Sequence, residues 1–131
     1  QLVAYPIVSL VELKRSIRDY LRALEEAILR AVAHFGVAAE RRDGATGVWV
    51  GQKKLASISV AVRRFVTWHG LALNVAPDLT DFQLIRPCGF GPDVMTSLQQ
   101  LLGCAPPIDE VRGRLVLELV RELGLAPPIL E

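Results

Sequence analysis

Lys54-Leu55-Ala56-Ser57-Ile58-Ser59-Val60-Ala61-Val62 and, a little further on, Gly70-Leu71-Ala72-Leu73-Asn74-Val75 are the stretches that decide the fold. Successive side chains of a β-strand point to opposite faces, so alternation reads directly as sidedness. In the first stretch Ser57, Ser59 and Ala61 fall on one side, and Ala56, Ile58, Val60 and Val62 on the other. In the second, Gly70, Ala72 and Asn74 oppose Leu71, Leu73 and Val75. Two strands are expected, over Lys54 to Val66 and Gly70 to Val75, each with a face of small side chains. Such a face either receives a closely packed helix or leaves room for a ligand, and the pattern alone favours the helix.

Upstream, Ile17, Tyr20, Leu21, Leu24, Ile28, Ala31 and Phe35 recur at helical spacing, with Arg18, Arg22, Glu25, Glu26 and Arg30 on other faces. This is an amphipathic helix that Gly36 terminates. Gln1 to Val11 reads as an extended apolar segment broken by Pro6. Short strands are expected at Val37 to Ala39 and Val48 to Val50, around the turn-forming Asp43-Gly44, with a second turn at Gly51-Gln52. Downstream, Arg86-Pro87-Cys88-Gly89 lies among turn residues and Met95 to Leu102 suggests a short helix. A last helix, capped by Asp109 and stopped by Gly124, turns Val111, Leu115, Val116, Leu119, Val120 and Leu123 inward. Helices early and late around a central antiparallel run predict an α+β sandwich.

With 131 residues the chain has room for one domain and one core, since domains most often run to about 100–150 residues. A net charge of +1 gives no electrostatic basis for coating nucleic acid. No apolar run approaches the ~20 residues needed to cross a bilayer, and the start lacks the basic and apolar regions of a secretory signal. The expectation is a cytoplasmic protein with no membrane partner. The chain begins at Gln1 without a methionine, and the natural protein is expected to continue upstream.

Cys88 and Cys104 are too few for a disulfide framework and lack metal-ligand spacing, so free thiols are the default. A thiol acts as a nucleophile only as thiolate, and a nearby ammonium lowers its pKa from about 8.5 into the range of roughly 3.5–7.5. Cys88, in a Pro-Cys-Gly turn where Gly89 admits close approach of a substrate, is the better candidate; Cys104 follows the helix-ending Gly103. The bland alternative for Cys88 is a small filler in a turn. Lysine is scarce, three against twelve arginines, which makes Lys54 at the head of the alternating strand more informative than a lysine usually is. Its bland alternative is a solvated hairpin lysine. His69 reads as a strand-end residue, and His34 as a cation at a helix C-terminus. No phosphate-binding, dinucleotide or serine-hydrolase motif occurs.

Taken in order, these segments resemble the lipoyl(octanoyl) transferase family over essentially the whole chain. Gln1 to Ile7 resembles the segment after the family's Gly-Pro-Gly turn, and Arg18-Asp19-Tyr20 with Leu24-Glu25 its first long helix. Gly47-Val48-Trp49-Val50 and Lys54-Leu55-Ala56-Ser57-Ile58-Ser59 look like its lysine-bearing strand. Thr67-Trp68-His69-Gly70-Leu71-Ala72-Leu73-Asn74, Pro87-Cys88-Gly89 and Thr96-Ser97-Leu98 follow in the family's order.

The resemblance implies an α/β (α+β) fold in which a central mixed or antiparallel sheet is flanked by helices, as in the catalytic core of biotin and lipoate protein ligases. Residues 1–131 would form a single catalytic domain that is N-terminally incomplete. It implies an acyltransferase of lipoate biosynthesis that takes octanoyl from acyl carrier protein onto Cys88 as a thioester. The group then passes to a lysine of a lipoyl domain, in 2-oxoacid dehydrogenase complexes or the glycine cleavage H protein. Lys54 matches the lysine partner of the cysteine, and the two are expected to meet across a cleft although 34 positions separate them. Ser57, Ile58, Ser59, Gly70, Leu71 and Ala72 match the substrate-binding segments, and no cofactor or metal is implied. Ser59 stands where the family usually has glycine, which bears on acyl chain length. The family's upstream Arg-Gly-Gly and Thr-Tyr-His-Gly-Pro-Gly motifs are absent. Three other readings compete. One is a thiol hydrolase in which water replaces the amine acceptor, but no histidine is placed as its base. In a lipoate or biotin ligase-like enzyme the lysine would contact an acyl-adenylate, and Cys88 argues against it. A noncatalytic acyl-binding module is favoured by the missing motifs.

Overall fold

The computed structural model describes residues 1–84 and 91–126. The long alternating stretch folds as β4 (Lys53–Arg63) and turns directly back into β5 (Val66–Leu73). Their antiparallel register runs from Ala56↔Leu73 to Arg63↔Val66. Arg64 and Phe65, which connect them, have φ of 51° and 63°. A tight two-residue hairpin turn demands the left-handed conformation at both positions, and Asn-Gly is its usual occupant. Arg-Phe carries no such signal, so the alternation reads on to Val66 and restarts at Gly70. Thr67, Trp68 and His69 in fact belong to β5.

β1 (Leu2–Ala4) pairs with β5, while β3 (Ala45–Val50) and β2 (Glu40–Arg42) extend the sheet beyond β4. The order is β1-β5-β4-β3-β2, every neighbouring pair antiparallel. The short strand expected at Val37 to Ala39 lies instead at Glu40–Arg42. Val37 is still completing the preceding helix end, its N–H donating to the Val32 carbonyl at 3.1 Å.

Ser9 caps a short helix, α1 (Leu10–Leu13), which interrupts the extended segment expected up to Val11. The long helix is α2 (Ile17–His34); the Ser16 hydroxyl accepts from the Asp19 N–H at its start, and Gly36 with φ 89° follows its end. It buries Tyr20, Leu24, Ile28 and Ala31, as the spacing predicts, and Ala27 as well, whereas Ile17, also expected on that face, is 50% exposed. Glu25, expected on a polar face, is buried too: its carboxylate accepts from Arg41 Nε at 3.0 Å and from the Gly47 N–H at 3.3 Å. α3 is confined to Leu98–Leu102 and capped by Ser97. Met95 and Thr96, expected inside that helix, bond to β4 instead. The last helix, α4 (Ile108–Leu123), has Pro107 at its N-cap position. Asp109 therefore does not cap it; the carboxylate sits in the first turn, where it faces the positive end of the helix dipole.

α2 lies against β3 and β4, and α4 packs against α2. Their apolar residues join Leu2, Val48, Ala56, Leu71 and Leu73 in one cluster. Each fully buried leucine or isoleucine there, such as Leu24, Ile28, Leu73 or Leu115, contributes about 1.5–3 kcal/mol of transfer free energy. The helices thus cover the face that carries the large side chains of the two alternating strands. Among the described residues no helix is long and apolar enough to cross a membrane.

Candidate active site

The register sets Val3, Ala72 and Ser57 side by side across β1, β5 and β4, on the face opposite the helices. Gly70 stands beside Ser59. These small residues leave a cavity of about 320 Å³ bordered by Ser57, Ser59, Gly70, Leu71 and Ala72. Gln1, Val3, Tyr5 and His69 complete its wall. The two small faces therefore share one cleft. Ile58 is not in that wall: its partner across the strands is Leu71, and it packs against the helix-side core.

His69 is the lining residue that sequence reading set aside. Counting alternate positions back from Leu71 assigns it to the helix side. Its φ of 59° breaks that alternation, and the imidazole instead stacks on Trp68, with ring centroids 5.2 Å apart, and meets Tyr5 edge-on at 6.2 Å. Aromatic contacts at these separations favour such offset or edge-on arrangements. The sequence holds no signal for this, because left-handed backbone at a histidine is a feature of tertiary context.

Lys54 reaches the cleft face by a second irregularity. Val48 pairs with Ala56 but Trp49 pairs with Lys54, so β4 carries one extra residue, Leu55, against β3. Leu55 and Ala56 are both fully buried in the helix-side core. Two consecutive residues on one face mean that alternation resumes out of phase, and Lys54 falls on the side of Ser57. Without the bulge its side chain would point toward the helices. Bulges re-aim side chains in this way beside functional sites. About three residues of strand, roughly 10 Å, separate Lys54 from Ser57 along β4.

The lysine is buried, 3% exposed. An ideal Cβ built on Gly47 would stand 2.8 Å from Lys54 Cε and 2.7 Å from the Ala56 carbonyl oxygen, so the lysine stem occupies space that any side chain at 47 would fill. Lys54 Nζ lies 5.5 Å from the centroid of the Trp49 ring, and the Arg42 guanidinium lies 3.8 Å from the same centroid.

The Leu55 and Lys54 carbonyls are both bonded on the side of β4 away from β3. Leu55 O accepts from the Asn74 N–H at 3.1 Å, and Lys54 O accepts from the Thr96 N–H at 2.9 Å. The fully buried Asn74 side-chain amide closes the network, donating to Thr96 O at 3.0 Å and accepting from Gln1 Nε2 at 2.9 Å. Lys53 Nζ donates to the Asp93 carbonyl. Residues 93–96 are thereby fastened to the head of β4 at Lys53 and Lys54. Cys88, with Pro87 and Gly89, lies outside the described residues. Cys104 is an exposed free thiol after α3, away from these contacts. A larger surface cleft of about 530 Å³, between α2 and the β2–β3 turn, is lined by Arg18, Arg22 and Arg42 and contains none of the residues chosen from sequence.

The chain matches the model of the lipoyl protein ligase A/B catalytic domain over residues 1–120. It is 49% identical over 114 residues to an octanoyltransferase of Pelobacter propionicus, an alignment covering 87% of this chain and 54% of that protein. To an octanoyltransferase of Chloroflexus aggregans it is 47% identical over 130 residues, 97% of this chain and 59% of the relative. The chain thus spans about half the length of the curated relatives it matches. The crystal structure of a lipoate-protein ligase A bound with ATP superposes with a TM-score of 0.69 at 20% identity, covering 86% of this chain and 49% of that one. Biotin protein ligase from Aquifex aeolicus, in complex with biotin and ATP, gives 0.71 at 13% identity over 92% and 48%. At these identities the likeness is one of fold: the expected sheet-and-helix core of the biotin and lipoate ligases. A family model that covers nearly all of the chain decides its membership: the chain belongs to the lipoyl protein ligase A/B catalytic domain family.

Proposed function

We propose that this chain carries the acyl-transfer chemistry of an octanoyltransferase, moving octanoyl from octanoyl-acyl carrier protein through a Cys88 thioester to a lysine of a lipoyl domain. The observation that carries the reading is the re-aiming of Lys54 by the Leu55 bulge onto the face that bears the Ser57–Ala72 cleft. The names of relatives 43–50% identical support it. Residues 1–131 act in this reading as one catalytic unit, with Cys88 and Lys54 as catalytic residues and Ser57, Ser59, Gly70, Leu71 and Ala72 bordering the acyl group. Ile58 supports that wall from behind.

In the first step the Cys88 thiolate attacks the carrier thioester carbonyl, and the carrier thiol leaves with a proton from Lys54. In the second, the acceptor amine attacks the Cys88 thioester, its proton passes to Lys54, and the Cys88 thiolate leaves. One thioester is exchanged for another and then for an amide, so the sequence runs downhill without an external energy source. Covalent catalysis of this kind divides one difficult transfer into two easier ones. A positioned acid–base such as Lys54 contributes about 10²–10⁴-fold. Met95 bridges to Lys54, and Cys88 is seven residues earlier in the chain, which supports pairing the two.

Incubation with octanoyl-acyl carrier protein followed by intact mass measurement tests the reading. The protein gains one octanoyl group, Cys88→Ser gains none, and Cys104→Ser gains it as before. Lys54→Ala slows alkylation of Cys88 near neutral pH, and Lys53→Ala does so far less. No adduct in the presence of the carrier alone, with acyl-adenylate appearing when ATP and free octanoate are added, would move the assignment to the ligases. No adduct and no adenylate would leave a binding module.

A further inference from the structure

Lys54 is itself 3% exposed, and a strand lysine with four rotatable methylenes needs its surroundings to hold its cation at a fixed point. Two neighbours on β3 contribute to that placement. Gly47 and Trp49 are two residues apart and share the cleft face, and Trp49 is the cross-strand partner of Lys54. The space vacated at Gly47 receives the Lys54 stem: a Cβ there would stand 2.8 Å from Cε and 3.6 Å from Nζ. Gly47 has φ of 136°, a conformation that itself favours glycine. Trp49 is fully buried, and the lysine ammonium lies 5.5 Å from its ring centroid, inside the limit of about 6 Å at which an indole attracts a cation.

Burying an ammonium is costly unless its charge is met, and the electron-rich face of the indole meets part of it. Arg42, 3.8 Å from the ring centroid, packs against the same indole and holds it in place from the edge of the sheet. Its own guanidinium is tethered to the Gly51 carbonyl at 2.9 Å and to the Gln52 side chain at 3.3 Å. The ring is thus clamped from the β2–β3–β4 side, and the lysine is placed against a clamped ring.

We infer that Trp49 and Gly47 are positioning residues of the reaction: the indole face helps hold the Lys54 ammonium, and the missing side chain at 47 provides the channel its stem runs through. The inference rests on the reading of Lys54 as the partner of Cys88, but its geometry concerns Lys54 alone and is measured on Lys54 directly.

Trace acetylation with acetic anhydride, read by peptide mass spectrometry, reports how well Lys54 is held, with the exposed Lys14 as internal reference. In Trp49→Leu, Lys54 is expected to label about three- to tenfold faster relative to Lys14, the loss corresponding to one cation–ring contact. Trp49→Phe retains a ring face and is expected to restore most of the protection, although it too removes core volume. Gly47→Ala should free Lys54 as well, since the stem has to leave its channel. In each variant the rate of Cys88 alkylation near neutral pH should fall in proportion to the rise in Lys54 labelling. Equal Lys54 labelling in wild type and Trp49→Leu overturns the inference. So does an equal rise in the leucine and phenylalanine variants that merely follows lost thermal stability, which would make Trp49 a core residue only. Lys54→Met separates the two claims. If that change leaves Cys88 alkylation untouched, the Cys88–Lys54 pairing fails, while a leucine-specific loss of Lys54 protection still establishes the positioning by Trp49.

Discussion

Gly70 shows how one missing side chain serves both the sheet and the cleft. A Cβ built on it would collide with the Ala4 carbonyl oxygen and stand 2.9 Å from Pro6 Cδ. The contact at risk is backbone, which cannot swing aside, so the residue is glycine because β1 and its continuation cross close over β5. Gly70→Ala is expected to pull the Leu2–Ala4 strand from its register and to destabilise the protein by about 1–3 kcal/mol or more, the cost of forcing atoms into packed space. Amide exchange would show it, as loss of protection at Val3 and Ala72 ahead of Leu24 and Ile28; uniform protection in the variant would contradict the close-approach argument. The same residue was legible in sequence as part of a small-sided face, and the pairing Ser59↔Gly70 puts it on the cleft. Its structural reason was not legible, because that reason lies in a backbone 66 positions away in the chain. Lys54 and the cleft residues could be chosen from ordered motifs, whereas Trp49, Gly47 and His69 acquire their places from cross-strand geometry that no local spacing announces.

At the scale of elements, periodicity identified α2, α4 and the two central strands, since burial on one side imprints a period that propensity alone does not, although Ile17 and Val116, expected inward, are 50% and 36% exposed. It failed wherever the backbone leaves its ideal path. Strict alternation across Leu55 sends Lys54 to the helix side, and only the bulge corrects it. The β4–β5 turn carried no local signal, because Arg64 and Phe65 hold left-handed backbone without glycine or asparagine. Each such residue costs about 1–2 kcal/mol relative to one that accepts the conformation readily. Replacing the pair by Asn-Gly, as Arg64→Asn combined with Phe65→Gly, keeps the turn type while removing the strain. The double variant is expected to gain about 1–2 kcal/mol in chemical denaturation, with an unchanged denaturant slope. Phe65 is 65% exposed, so little apolar burial is lost in the exchange. A midpoint that moves down would mean that the Phe65 ring contributes packing which its exposure conceals.

For the molecule as a whole, the distribution of apolar surface is uneven in a way that follows from the one-sided core. Helices cover one face of the sheet, and the other face and the hairpin end carry large side chains in the open: Tyr5 is 63% exposed, Ile7 69% and Trp68 49%. They lie close to one another, because the chain from Tyr5 to Leu10 runs along the start of β5. The Thr67 N–H donates to Val8 O at 3.0 Å, and the Leu10 N–H donates to Phe65 O at 2.8 Å. Isolated exposed hydrophobics are ordinary, but contiguous patches of several hundred Å² are rare on monomers and mark interaction or aggregation surfaces. Among the described residues β1 is also an edge strand, and an edge next to such a patch favours association. The 131-residue chain is therefore expected to bind an apolar-surface dye while unfolding cooperatively, and to sediment with a concentration-dependent mass. Ile7→Lys with Trp68→Lys should lower both dye binding and self-association without lowering thermal stability, since neither side chain belongs to the core cluster. Lysine at these positions adds two like charges to the patch, so the effect on association should weaken as salt screens them over a Debye length of about 10 Å at 0.1 M. If the double variant binds dye as strongly as the parent, the reporting surface lies elsewhere; if its melting temperature drops by the amount expected of a core truncation, the two side chains are buried in solution and the exposure argument fails.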